Sequence, residues 1–148
     1  MLRFFMVAIT LLVHLNVVQA EEYRNVEVQK LLVSSTAING DKLQYLRTDH
    51  PEVTALIVHI PPGGSTGWHK HPVPVYAYIL EGKLTLKLKD GRTFSLNKGA
   101  AIFEVMNIMH NGYNFGKEPV SLVVFYTGAV DVPKVVMEQP DLVFPALP

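Results

Sequence analysis

The sequence predicts a single all-β domain, and three observations carry that prediction. Beyond residue 20, no stretch sustains the 3.6-residue apolar period of a helix. Short β-rich runs instead alternate with Gly, Pro and Asn turn residues at the spacing of a sandwich or barrel. The chain's 148 residues, 49% of them hydrophobic, are enough for one core without disulfide staples, and cysteine is absent.

The predicted strands follow in order. Runs 26–33 and 42–47 come first, separated by Asn39-Gly40, and the second is closed by Asp49-His50-Pro51. Run 53–60 is rich in Val and Ile and stops at Pro61-Pro62-Gly63-Gly64, where proline removes ladder donors. Run 75–80 meets Glu81-Gly82. In run 83–89, Lys83, Lys87 and Lys89 alternate with Leu84, Leu86 and Leu88, which reads as one solvated and one buried face. Asp90-Gly91 then predicts a tight hairpin of type I′, with positive φ at both central residues, into run 93–96. Run 101–105 follows Asn97-Lys98-Gly99, and run 120–127 closes the set. The tail 130–148 carries Pro133, Pro140, Pro145 and Pro148 and is expected to be extended.

The first twenty residues differ from the rest. Arg3 precedes an apolar run over 4–13, and Val18-Gln19-Ala20 precedes an acidic stretch, the pattern of a secretory signal peptide. The run is shorter than the roughly 18–20 apolar residues of a spanning helix, and His14 and Asn16 interrupt it further on. Residues 1–20 are therefore expected to be cleaved after Ala20, leaving one domain over 21–148 with no membrane attachment, secreted or periplasmic. The lack of cysteine and of any Asn-X-Ser/Thr sequon leans towards a bacterial periplasm. The net charge is zero and no basic patch is visible, which argues against a nucleic-acid partner.

Histidine spacing supplies the chemistry. His69 and His71 stand two apart ahead of a strand, so extended geometry turns both to one face, where they can grip a single metal ion. His-X-His alone is a weak signal. It gains weight from the Gly-rich turn before it (Gly63, Gly64, Gly67) and from His110 in a later strand-and-turn context, which completes a three-histidine set. His50 precedes proline in a turn and His59 sits in an alternating strand, so both read as solvent-facing or structurally satisfied. Met106 and Met109 flank His110 and read as packing residues.

Two segments resemble the motifs of the cupin family. Residues 63–82 resemble the first motif, with Gly63, His69, His71 and Gly82 in register; residues 99–114 resemble the second, with Gly99, His110 and Asn114 in register. Sixteen residues, 83–98, separate them. The resemblance implies a single-domain jelly-roll β-barrel with a divalent metal (Fe, Mn or Zn) in its mouth, and it points towards a homodimer.

The departures are specific. Val75 occupies the carboxylate position of the first motif and has no donor atom. In the second motif Val105 replaces proline, and Asn107 replaces glycine, a position Asn can fill through its tolerance of left-handed backbone. Tyr76, Glu81 and Glu104 come into question as substitutes. Strand parity puts Tyr76 and Tyr78 on the face opposite His69, His71 and Val75, and Glu81 lies at a hairpin turn. Glu104 precedes a turn that can change register. The expected ligand set is His69, His71 and His110, with Glu104 as the alternative third or additional donor.

Three neutral imidazoles leave a divalent ion's charge uncompensated, which favours anionic small molecules and leaves open positions for water or dioxygen. The resemblance implies three uses: an iron-dependent dioxygenase, zinc-type lyase or isomerase chemistry, or a non-catalytic module that captures a small ligand. No general acid or base stands out beside the histidines, and Val75, Ala77 and Ile79 are expected to make the barrel's depth apolar.

Overall fold

A computed structural model describes residues 25–139. The predicted signal peptide, and Pro140, Pro145 and Pro148 of the tail, lie outside the described residues. Nine strands run β1 (Pro51–Ile60), β2 (His69–Lys70), β3 (Val75–Glu81), β4 (Lys83–Leu88), β5 (Thr93–Asn97), β6 (Ala101–Phe103), β7 (His110–Tyr113), β8 (Val120–Ala129) and β9 (Val136–Met137). No helix occurs among the described residues. The strands form two antiparallel sheets, ordered β1-β8-β3-β6 and β5-β4-β7-β2-β9. The all-β expectation holds.

Period-two patterning explains the interior. Val75, Ala77 and Ile79 on β3 point into the core, as do Leu84, Leu86 and Leu88 on β4 and Leu122, Val124 and Tyr126 on β8. The β4 lysines face outward as predicted, with Lys87 over the rings of Tyr113 and Phe115 and Lys89 over Trp68.

Several local expectations change. Run 26–33 is extended and exposed but joins no sheet among the described residues. Residues 29–32 run beside the outer face of β3, β6 and β8, next to Tyr78 and Phe125, so they cover a sheet instead of extending its edge. Run 42–47 is likewise not a strand. Its only pairing is the bridge Thr36–Lys42, held by the turn in which Ala37 N–H donates to Asp41 C=O. Run 26–33, and run 42–47 beyond Leu43, whose N–H donates to Ser35 C=O, find no strand to pair with among the described residues.

The Asp90-Gly91 hairpin exists, but only Gly91 has positive φ (92°). Gly91 N–H donates to Leu88 C=O and Leu88 N–H to Arg92 C=O, a type I turn followed by a left-handed glycine, one residue longer than type I′. Asp90 stabilises it by accepting from Arg92 N–H.

Three positions explain how the motifs shape the chain. Gly82 has φ 75°, and an added Cβ would stand 2.5 Å from Pro119 C=O, so the turn at Glu81-Gly82 admits only glycine; it is no hairpin, since it carries the chain from β3 in one sheet to β4 in the other. Asn107 takes φ 58°, the left-handed conformation in which it stands in for glycine. Asn114 is a buried brace: its amide donates to Ile60 C=O and Glu118 C=O and accepts from Gly116 N–H.

Candidate metal centre

His69 and His110 are direct cross-strand partners between β2 and β7. His71 lies one step past β2, where a parallel bridge to Met106 and the bond from Asn107 N–H to its carbonyl hold it. All three rings are buried, and one donor atom from each lies within 4.8 Å of the others. The structure thus brings together the three histidines picked out by spacing. His50 is exposed, and His59 is satisfied on the outer face by Ser121 Oγ at 2.9 Å.

The hydrogen bonds fix the chemistry of the rings. Each Nδ1 faces a backbone carbonyl: Gly67 for His69 (2.8 Å), Lys134 for His71 (2.7 Å) and Ile108 for His110 (2.8 Å). A carbonyl only accepts, so each Nδ1 carries a proton, and it is Nε2 that each ring turns towards the other two. Such outer bonds set the tautomer and orientation of metal-binding imidazoles. His110 Nε2 is buried and has no hydrogen-bond partner. An orphaned, inward-facing lone pair among two others is what a divalent ion would satisfy. Burial pushes the His69 imidazole down to about 4, with the neighbouring His110 and His71 adding to the shift and the Gly67 carbonyl opposing it; His69 is therefore neutral at physiological pH.

The tail contributes directly. β9 pairs with β2, matching His69 to Met137, and the Lys134 carbonyl that aims His71 lies two residues before β9. The expected extended tail therefore packs on the barrel as far as residue 139.

Glu104, left open by the sequence, reaches the cluster. Its Oε2 stands 3.4 Å from Nε2 of both His71 and His110, and its side chain is 10% exposed. Burial alone would raise its carboxyl, but positive charge facing it at His110 and His71 outweighs that and holds it down at about 2. Tyr126 escaped the sequence reading altogether. Its ring lies edge-on to His71 at 5.3 Å, and burial together with the Glu104 charge pushes its phenol up to about 12. The histidines, Glu104 and Tyr126 share a chamber of about 50 Å³, lined otherwise by aliphatic side chains together with Thr66 and Gly112. A larger cavity of about 430 Å³ adjoins it, with Glu104 common to both and Asp41, Lys42, Gln44 and Asn107 on its walls.

Residues 56–126 match the family model described as a cupin domain. No curated protein matches the chain. Similar solved structures include the DMSP lyase DddQ from Ruegeria pomeroyi, with TM-score 0.53 and 21% identity over 64% of this chain and 46% of that one. The DMSP lyases RdDddP and RnDddQII give TM-score 0.51 and 22% identity over 59% and 44%. The oxalate decarboxylase of Lactobacillus farciminis in its formate complex gives 0.51 and 23% over 57% and 26%. This chain spans less than half the length of each of these. At such identities the likeness speaks for the fold: the two antiparallel sheets have the jelly-roll arrangement of a cupin, and residues 56–126 are the part that matches the cupin-domain model.

Proposed function

We propose that this protein is an exported metal-dependent enzyme that holds one divalent ion with His69, His71 and His110 and acts on a small anionic molecule, as an iron-dependent dioxygenase. The observation that carries the reading is the convergence of three imidazoles whose Nδ1 atoms are all capped by backbone carbonyls. An iron ion bound there would supply the capacity to activate dioxygen. The chamber beside the rings, about 50 Å³, suits water or dioxygen, whereas substrate pockets run to roughly 300–1,000 Å³. The adjoining cavity, about 430 Å³, has the room for substrate, with Lys42 as the one basic side chain on a wall that also carries Asp41 and Glu104.

The test is reconstitution. Metal-free protein loaded with Fe(II), Mn(II) or Zn(II) is assayed for oxygen uptake with a panel of small carboxylates. Iron-specific uptake with one of them supports a dioxygenase. Turnover under anaerobic conditions, or with zinc, supports the lyase or isomerase reading. Tyr126 favours that second reading, because its phenol stays protonated and can donate to a leaving carbanion or alkoxide. Saturable binding without turnover of any panel member would leave a capture module.

Two further parts of the proposal concern the whole chain. Residues 1–20 act as a cleaved signal, so exported protein should have an intact mass that starts at Glu21; retention of Met1 would refute this. Tyr76, Tyr78, Phe103 and Phe125 give the outer face of the β1-β8-β3-β6 sheet an apolar surface that residues 29–32 cover only in part, which supports a homodimer. Light scattering that finds only monomer at micromolar concentration would exclude it.

A further inference from the structure

Glu104 N–H donates to Val75 C=O, and the neighbouring cross-strand pair is Tyr76–Phe103, so Glu104 is the residue directly opposite Val75. Directly opposed residues of an antiparallel pair project from the same face, with Cβ atoms about 4.5–5.5 Å apart. A carboxylate at 104 therefore reaches the same space as a carboxylate at 75 would, from the adjacent strand. Val75 pairs on its other side with Tyr126, so Tyr126, Val75 and Glu104 form one row across the sheet, all facing the histidines.

The local electrostatics demand a cation at this point. With protons committed to the three Nδ1 atoms, the Nε2 lone pairs of His71 and His110 confront Glu104 Oε2 at 3.4 Å. Lone pairs facing a carboxylate repel unless positive charge lies between them, supplied either by extra protons on the imidazoles or by a metal ion. Among the described residues no Lys or Arg pairs with Glu104. Donors that share one ion at about 2.1 Å stand roughly 3.0–3.5 Å apart, the spacing seen here.

We propose that Glu104 is the fourth metal donor, and that it replaces across the strand pair the carboxylate that Val75 cannot supply. This rests on the three-histidine site proposed above and deepens it: the loaded centre then carries a net charge of +1 instead of +2.

The experiment measures metal binding and needs no turnover. Co(II) and Fe(II) affinities are determined by competition with a chelator for wild type, Glu104→Gln, Glu104→Asp and the double variant Glu104→Gln/Val75→Glu; the Co(II) absorption spectrum reports donor set and coordination number. Loss of an outer-shell partner costs about 10–100-fold in affinity, so loss of a donor should cost more than about 100-fold. Glu104→Gln should show that loss with an altered Co(II) spectrum, and Val75→Glu in the same chain should recover most of both. Affinity within about threefold of wild type, or a weakened site with an unchanged spectrum, would overturn the proposal. If Glu104→Gln does not fold, the other two variants decide: a double variant that folds without recovering metal, or a Glu104→Asp spectrum identical to wild type, is equally adverse. His110→Ala serves as the reference. Metal loss there with none in Glu104→Gln sinks only the Glu104 assignment, whereas retention in His110→Ala sinks the histidine site itself.

Discussion

Replacing His110 by alanine separates the ring's packing role from its role towards metal. The ring is 1% exposed, its Nδ1–H bond to Ile108 is 2.8 Å, and its Nε2 has no hydrogen-bond partner. Truncating a buried aromatic ring costs about 3–5 kcal/mol, while an unsatisfied buried polar atom already costs about 1–3 kcal/mol that truncation relieves. The metal-free variant should therefore lose only about 1–3 kcal/mol. The metal-dependent increment is the sharper quantity. With free metal at 100 times the dissociation constant, binding adds about 2.7 kcal/mol to wild type. A variant weakened 100-fold gains about 0.4 kcal/mol under the same conditions, a deficit of roughly 2.3 kcal/mol. At about 4 °C per kcal/mol for a domain of this size, the metal-induced shift in Tm should shrink by about 9 °C. Thermal unfolding with chelator and with excess iron, manganese or zinc gives both numbers from one sample. His69→Ala and His71→Ala should behave alike, and His59→Ala, bonded to Ser121 on the outer face, should keep the full increment. A wild-type increment in His110→Ala, with loss only in His69→Ala, would refute the two-motif site.

Three other outcomes follow from the same geometry. Gly82→Ala forces a Cβ to 2.5 Å from Pro119 C=O at φ 75°, and urea unfolding should register a loss of about 2–4 kcal/mol from strain and overpacking together; a loss under about 1 kcal/mol would contradict the backbone placement. Because the folded His69 imidazole sits near 4, below its unfolded value of 6.5, the unfolded chain binds more protons in that window. Metal-free protein should then lose stability as pH falls from 6.5 towards 4, and a flat profile over that range in denaturant titrations would count against burial of His69. Tyr126→Phe should leave metal affinity unchanged while lowering turnover about 100-fold or more if the phenol donates a proton in the reaction. Equal turnover would restrict Tyr126 to packing against His71.

The sequence carried the features that depend on local rules. Turn residues and period-two runs located six of the nine strands, and a two-residue spacing singled out His69 and His71 because both faced one side. What it could not carry was pairing. Runs 26–33 and 42–47 have strand composition, yet composition does not supply a partner, and residues 29–32 lie over a finished sheet. The short strand β9 owes its existence to β2 and could not be read from Val136 and Met137 alone. Glu104 stayed ambiguous for the same reason, since its position is set by the β3–β6 ladder and not by its distance along the chain from His110. Tyr126 was hidden inside an ordinary alternating run; inward parity with Leu122 and Val124 was the available signal, and it identifies a core residue without saying that the core there borders a metal site.

Val75 illustrates a general consequence of how sheets present side chains. A family motif checks one position in the sequence, while a ligand shell requires a donor at one place in space. On an antiparallel sheet that place can be reached from the directly opposed residue of either neighbouring strand. Here one neighbour is Tyr126 and the other is Glu104. Loss of the carboxylate at position 75 is therefore not loss of an acidic group beside the histidines, since Glu104 Oε2 lies within 3.4 Å of two of them. The valine has a role of its own in this arrangement. Two carboxylates facing each other across the pair would repel in a buried site and raise each other's pKa, so an acid at 104 favours an apolar residue at 75. Val75→Glu on its own should consequently destabilise the metal-free protein, whereas the same substitution combined with Glu104→Gln should not. Equal destabilisation by Val75→Glu in both backgrounds would show that the two positions do not compete for one space.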